Sequence, residues 1–378
     1  MTGEITDEIR EAANQYQTGG VAKEGRGILD EYYTSSTIVD MVKSILNLPE
    51  TGLGVMEPSV GIGNFLHAMP EGHKHTVYAM EINPVSARIA KIFHPTARVM
   101  NRQFEEMFMD KTGKKMSFTP DADLVIGNPP YGDHRGLFIG LGEEKNIRRY
   151  EEYFIKRGLD LLKPGGRLAM VVPSGFLRGK GDAKKTIAKT GKLVEAWRLP
   201  NGAFAGTDIG TDIVVFERVA LGNLDEHVAR YDLLADDAYF KANPSNILGT
   251  EKTRKGKFGM EPFVEGSIDD AINLFHSRNS AREATNILKK LDLPATKENT
   301  ESAQSAVEEA GEDKAEDLVK AAAKKKAEAV KSKIKTTTGK KGKIVSLTTH
   351  FEGEFTEEEL AHWKATRANG TLDLTKIA

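Results

Sequence analysis

Asp123-Leu124-Val125-Ile126-Gly127-Asn128-Pro129-Pro130-Tyr131 is an apolar run that ends abruptly on four residues suited to chemistry. Two successive prolines remove two backbone donors and fix φ, so the carbonyls around them are rigid and free of sheet pairing. The Asn128 side-chain oxygen and the Pro129 carbonyl can both accept from one exocyclic amino group, and Tyr131 offers a flat face on which a base can stack. An amine whose lone pair is delocalised into an aromatic ring is a poor nucleophile. Accepting its two hydrogens pushes the nitrogen toward tetrahedral geometry and frees the lone pair to attack a sulfonium methyl, without a strong base, a covalent intermediate or a metal. Asn128, Pro129, Pro130 and Tyr131 are therefore the candidate catalytic residues. Taken alone, the tetrapeptide also reads as a proline-capped strand entering a loop.

A second constellation lies upstream. Glu57-Pro58-Ser59-Val60-Gly61-Ile62-Gly63-Asn64 follows a β pattern and opens a helical one. Two glycines one residue apart let the backbone approach a ligand, and a helix N-terminus aims free N–H groups at it. The third glycine of a dinucleotide fingerprint is missing, which argues against a hydride-transfer cofactor. Glu81, about 20 residues onward at the end of the next β pattern, suits a ribose-hydroxyl acceptor. Together they fit a nucleoside-bearing ligand.

Short β-branched runs alternate with helical patterns to position these residues, which argues for βαβ units and a mostly parallel sheet. The expected strands are 53–57, 76–82, 97–100, 123–127, 167–172, 193–199 and 211–217, and the expected helices 36–46, 64–68, 84–92, 147–162 and 183–189. Beyond Arg218 the pattern predicts short helices over 231–241 and 268–276, separated by a Gly- and Lys-rich stretch over 249–259. Trp197 is expected in the core.

These residues resemble the S-adenosylmethionine-dependent N6-adenine DNA methyltransferases of the γ class, in which the cofactor motif precedes Asn-Pro-Pro-Tyr. The segment Glu31-Tyr32-Tyr33-Thr34-Ser35 is similar to the family's leading motif, and Leu199-Pro200-Asn201-Gly202-Ala203-Phe204 with Thr211–Phe216 resembles its last hairpin. The region after the sheet is similar to that following the methylase module of phage and mobile-element methylase–helicase proteins, without the helicase phosphate loop. The resemblance spans roughly Gly27 to Arg218. It implies an α/β fold, a Rossmann-like seven-stranded methyltransferase sheet with one antiparallel strand, a small appended segment and a flexible C-terminal extension. It also implies methyl transfer to the N6 amino group of a flipped-out adenine in DNA, in a restriction-modification setting. S-adenosylmethionine would be held by Tyr33, Thr34, Glu57, Pro58, Gly61, Gly63, Asn64, Glu81, Ile82, Gln103, Phe104 and Asn128. Gln103 stands where the family commonly has an acidic residue that reads the cofactor adenine. Ser35 replaces a usual proline and is expected to cap the helix that follows. Tyr131 and Phe204 would stabilise the base, with Arg178, Lys180, Lys184 and Lys185 toward the DNA phosphates. Thr253–Lys257 forms a second basic cluster. Two other readings stay open: methylation of RNA or a protein glutamine, and a catalytically degenerate nucleic-acid-binding subunit.

Composition bounds the rest. The 378 residues hold 53 Lys+Arg against 55 Asp+Glu, a net charge of −2, so DNA contact has to rely on a local patch. The absence of cysteine excludes disulfide frameworks, thiol nucleophiles, Fe–S clusters and Cys-ligated zinc. The histidines lack metalloprotease spacing, and no metal is expected. No long apolar run implies a membrane span, and a cytoplasmic location is expected. The expected organisation is a flexible arm at 1–26, a methyltransferase domain at 27–220, an appended segment at 221–292, an Ala/Lys/Glu-rich linker at 293–342 and a small element at 343–378. The C-terminal extension is a candidate contact for a specificity or assembly partner.

Overall fold

The computed structural model describes residues 34–48, 51–69, 74–109, 114, 120–133, 147–204, 207–256, 259–310 and 314–325. The arm 1–26, Tyr33 and the element 343–378 lie outside the described residues. By internal contacts the chain divides into Met1–His276 and Ser277–Ala378.

In the first unit, helix α1 (Ser36–Leu46) starts where Ser35 accepts a hydrogen bond from the Ile38 N–H and stops at Asn47, which takes a left-handed conformation with φ 41°. The expected cap at Ser35 is thus made. Ile38, Val39, Met41, Val42, Ile45 and Leu46 recur at helical spacing and are buried. The strands β1 (Thr51–Glu57), β2 (Lys74–Met80), β3 (Arg98–Met100), β4 (Ala122–Gly127), β5 (Leu162–Pro173), β6 (Gly191–Arg198) and β7 (Thr211–Arg218) form one sheet in the order β3-β2-β1-β4-β5-β7-β6. Strands β1 to β5 pair in parallel, and β7 runs antiparallel to both β5 and β6. This is the Rossmann-like methyltransferase sheet, with its single reversed strand.

The sheet is central because its middle strands are apolar on both faces. Leu168, Met170 and Val172 of β5 pack on one side with Val125 of β4 and with Tyr153, Phe154 and Leu159 of α3 (Tyr150–Leu161). Ala169 and Val171 pack on the other with Leu124, Ile126 and helix α1. This alternation is the period-2 geometry of a strand covered on both faces. Helix α2 (Pro84–Phe93) follows β2 and is capped by Asn83. Short helices α4 (Gly175–Arg178) and α5 (Asp182–Ala188) connect β5 to β6. Trp197 is buried on the second face, edge-on to Phe275.

Several expectations need correction beyond Arg218. In place of one helix over 231–241 there are two, α6 (Leu224–Leu234) and α7 (Ala238–Ala242), broken where Asp236 and Asp237 both adopt positive φ. The Gly- and Lys-rich stretch is an antiparallel ribbon of β8 (Thr250–Gly256) and β9 (Gly259–Glu265). Most of its register pairs join a charged residue to an uncharged one, so a search for apolar periodicity misses it. Residues 246–248 line the outer edge of β6: the Leu248 N–H donates to the Arg198 carbonyl (2.9 Å) and the Asn246 amide to the Ala196 carbonyl (2.9 Å). This segment covers the sheet edge that would otherwise be open.

The helix expected over 268–276 runs on as α8 (Ile268–Lys290). In the second unit α9 (Lys297–Ala310) and a helix over 314–325 occupy part of the stretch expected to be a linker. Ala303, Val307, Ala315 and Val319 pack with Ala284, Ile287 and Leu288, so alanine and single valines build a small core that composition alone conceals.

Candidate active site

In an open α/β sheet, ligands bind beyond the carboxyl ends of the strands. Here the ends of β1, β2 and β4 bring together three segments far apart in sequence. The loop after β1 is clasped by Glu81: one carboxylate oxygen accepts from the Gly61 N–H (2.8 Å), the other from the Asn83 N–H (2.7 Å). Gly63 has φ +102°, and a Cβ there would lie 2.5 Å from the His94 ring, so a side chain is excluded on both counts. Pro58 stands in the turn between Glu57 and this loop.

Asn128 follows β4 and is held from several sides. Its side-chain nitrogen donates to Thr34 Oγ1 (3.2 Å), its side-chain oxygen accepts from the Tyr131 hydroxyl (2.7 Å), and its carbonyl accepts from Ser59 Oγ (3.1 Å). The Asn64 amide donates to the Thr34 carbonyl (2.8 Å). Residues from the leading motif, the glycine loop and the Asn-Pro-Pro-Tyr motif therefore form one hydrogen-bonded set. Pro129 is buried and Pro130 half-buried beside it. Sequence reasoning missed Ser59; its signal was a hydroxyl inside the glycine loop.

Glu57 ends β1 and is 1% exposed, yet its Oε2 has no hydrogen-bond partner among the described residues. Burial, reinforced by the nearby charge of Glu81, holds its carboxyl well above the usual carboxylate range. A cation brought beside it would favour the ionised form. Ile82, 45% exposed directly after Glu81, presents an apolar face where a flat ring can pack. These features fit S-adenosylmethionine, whose methionine end is cationic and whose adenosine end is flat and bears hydroxyls. Gln103 sits at the start of the short helix Phe104–Met107, its N–H donating to Glu106 (3.4 Å).

Other expected site residues are engaged with the rest of the protein. Phe104 is core: its ring packs 4.8 Å from Phe154 and 5.3 Å from Phe108. Phe204 is likewise buried, in the apolar cluster that holds α1 and the second sheet face. Lys184 was expected toward phosphate but is 2% exposed and donates to the carbonyls of Leu234 (2.8 Å) and Gly179. Burial pulls its ammonium down to about 8. Arg178, Lys180 and Lys185 are engaged with Glu251, Asp236 and Asp182 at 3.3, 2.7 and 2.9 Å, so this patch is internally neutralised.

The same rim carries a charged hub that sequence reasoning did not find. The fully buried Arg198 guanidinium donates to both oxygens of Asp212 (2.9 and 3.0 Å) and both of Asp237 (2.7 Å each), and reaches Glu251 (3.2 Å). It lies 4.0 Å over the Phe240 ring, and Ser174 donates to Asp212 (2.7 Å). Burial opposes its charge, but Asp212 and Asp237 outweigh that and raise its pKa. Its only signal in sequence was an Arg ending one strand and an Asp opening the next.

The family model described as N-6 DNA Methylase matches residues 17–257. Defense against restriction protein B of Escherichia phage P1 is 31% identical over 223 residues, 57% of this chain and 9% of that protein. The methylase subunit of the type I restriction enzyme EcoEI of Escherichia coli is 26% identical over 212 residues, 51% of this chain and 43% of that protein. The type I restriction-modification system methyltransferase subunit from Streptococcus thermophilus superposes with TM-score 0.41 at 19% identity, over 51% of this chain and 46% of that one. The chain thus spans less than half the length of these relatives. Because the family match runs through the whole seven-stranded sheet, the chain belongs to the N-6 DNA methylase family, whose cofactor is S-adenosylmethionine.

Proposed function

We propose that this protein methylates the exocyclic N6 amino group of an adenine flipped out of DNA. The observation that carries the reading is the orientation of Asn128: its side-chain nitrogen donates to Thr34 and its oxygen accepts from the Tyr131 hydroxyl, so the oxygen is the side chain's accepting group at the end of β4. Glu57 would hold the cationic end of S-adenosylmethionine, Glu81 the ribose hydroxyls, and Ile82 and Gln103 the adenine. The cofactor supplies an electrophilic methyl group. Asn128 and Pro129 accept the two amino hydrogens of the target and so release its lone pair. In this arrangement the Tyr131 hydroxyl, now on Asn128, gives way as the amino group arrives, and the ring then stacks on the base. An adenine inside the stack is out of reach, which requires flipping. The type I methylase subunits and the phage protein among its relatives favour a restriction-modification setting.

Transfer of labelled methyl to unmethylated duplex DNA, followed by digestion to nucleosides, tests this. N6-methyladenine is expected from the natural chain. Asn128→Ala should lower the rate at least ~100-fold, the scale of losing one aligned polar group at a reacting centre, while cofactor still binds. Label recovered in RNA or glutamine instead of adenine would overturn the assignment.

A further inference from the structure

The β8–β9 ribbon takes no part in the site just described, and its build is unusual. Among its described residues Val264 alone is buried. A lone two-stranded ribbon is marginal in water, so something must hold it. Most of its anchors lie in the half away from the turn. Glu251 accepts from Arg198 (3.2 Å) and Arg178 (3.3 Å), Arg178 also donates to the Pro262 carbonyl (3.3 Å), and Asn201 exchanges two hydrogen bonds with Val264 (2.9 and 3.0 Å). Nearer the turn, Arg254 on the face opposite Glu251 is ion-paired with Asp208. Arg198 closes β6, and Asn201 and Asp208 lie in the connection from β6 to β7. The ribbon therefore stands on the same carboxyl rim as Asn128, three strands along, or ~14 Å at the usual strand spacing.

Away from those anchors the chemistry changes. The flank is neutralised, with Lys252 paired to Glu265 and Arg254 to Glu261 (3.0 Å). The pairs Glu251↔Val264, Thr253↔Pro262 and Lys255↔Met260 share one face, because alternate residues of a strand point the same way. Its inner pair is fixed to the body. Its outer pair is not: Met260 is 68% exposed, and Lys255 is exposed with no ion pair among the described residues. Seven paired positions reach ~24 Å, and two strands fit a major groove about 12 Å wide.

We infer that the β8–β9 ribbon lies in a groove of the duplex beside the flipped base, with Lys255 on a phosphate and Met260 against base edges. This rests on the DNA-methylating reading above. It gives the chain a groove contact of its own, which the neutralised residues around Arg178 do not provide.

Two experiments on the full chain test it. In the first, affinity for a short unmethylated duplex is measured across a salt series, alongside cofactor affinity. The double substitution Lys255→Ala with Met260→Ala should weaken duplex binding about 10-fold, flatten the salt slope by about 1, the signature of one lost phosphate contact, and leave cofactor affinity unchanged. In the second, the cysteine-free chain receives Met260→Cys as a unique attachment point for a photocrosslinker. Crosslinks should fall on the duplex within about one helical turn of the methylated adenine. Unchanged affinity and slope, or crosslinks confined to protein, overturn the ribbon's role while leaving methylation intact. A natural chain that binds cofactor but no duplex overturns both readings together.

Discussion

Along one rim of one sheet, the half over β1, β2 and β4 and the half over β5, β6 and β7 treat buried charge in opposite ways. In the first, Glu57 is buried with an oxygen that nothing among the described residues satisfies. In the second, Arg198 is equally buried but meets Asp212, Asp237 and Glu251 at hydrogen-bonding distance. Leaving a buried polar atom unpaired costs about 1–3 kcal/mol, so folds retain one where a ligand supplies the partner. The Arg198 hub ties the appended segment to the sheet, and the half with the unpaired carboxyl is the candidate site.

Breaking this hub should have the largest effect. Arg198→Met strands Asp212 and Asp237, and loss of one partner from a buried ion pair costs about 3–5 kcal/mol. Thermal denaturation should show a midpoint lower by ~10 °C or more. The same kind of change in the other half should act with the opposite sign. Glu57→Gln removes a disfavoured buried acid, so the cofactor-free protein should melt no lower than the natural chain at neutral pH, while calorimetry shows cofactor affinity down by about 10–100-fold. The pH dependence sharpens this. The Glu57 pKa is raised on folding, so its contribution is most favourable when protonated and is lost as pH rises from 4.5 through the folded value. Urea unfolding of Glu57→Gln should lack that decline.

Lys184 supplies a smaller slope of the opposite direction. Its ammonium titrates near 8 in the fold, against 10.5 ordinarily, so the unfolded chain binds more protons in that window and stability gains with rising pH. Lys184→Met should flatten unfolding free energy between pH 8 and 10. Least of all, Lys180→Ala should leave both the melting midpoint and duplex affinity unchanged within error, because Lys180 already pairs with Asp236.

The strands were legible because strands buried on both faces read as continuous apolar runs, as in Leu168–Val172. The glycine loop and Asn128 were legible for a different reason: their backbone demands, a positive φ at Gly63 and missing donors at Pro129 and Pro130, restrict residue type directly. Partnership was not legible. Nothing local in Lys184 or Arg178 says that Leu234 or Glu251 lies across from it, so a cluster of cations in sequence read as a phosphate patch. Phe204 was an aromatic at a motif position, and only the fold of its segment into the core decided its surroundings. The β8–β9 ribbon and the small core of Ala303, Val307, Ala315 and Val319 were hidden because charged or small residues carry their periodicity.

The hydrogen bond from Asn128 to Thr34 joins residues 94 positions apart. At about 5–20 residues per second, a ribosome needs ~5–20 s to make the chain between them. Throughout that interval the leading segment exists without the asparagine it orients, and a contact of such long range is slow to form. The Asn128 cluster in a nascent chain should thus assemble as a late, single event, after β4 has joined β1, and not grow in proportion to the length synthesised.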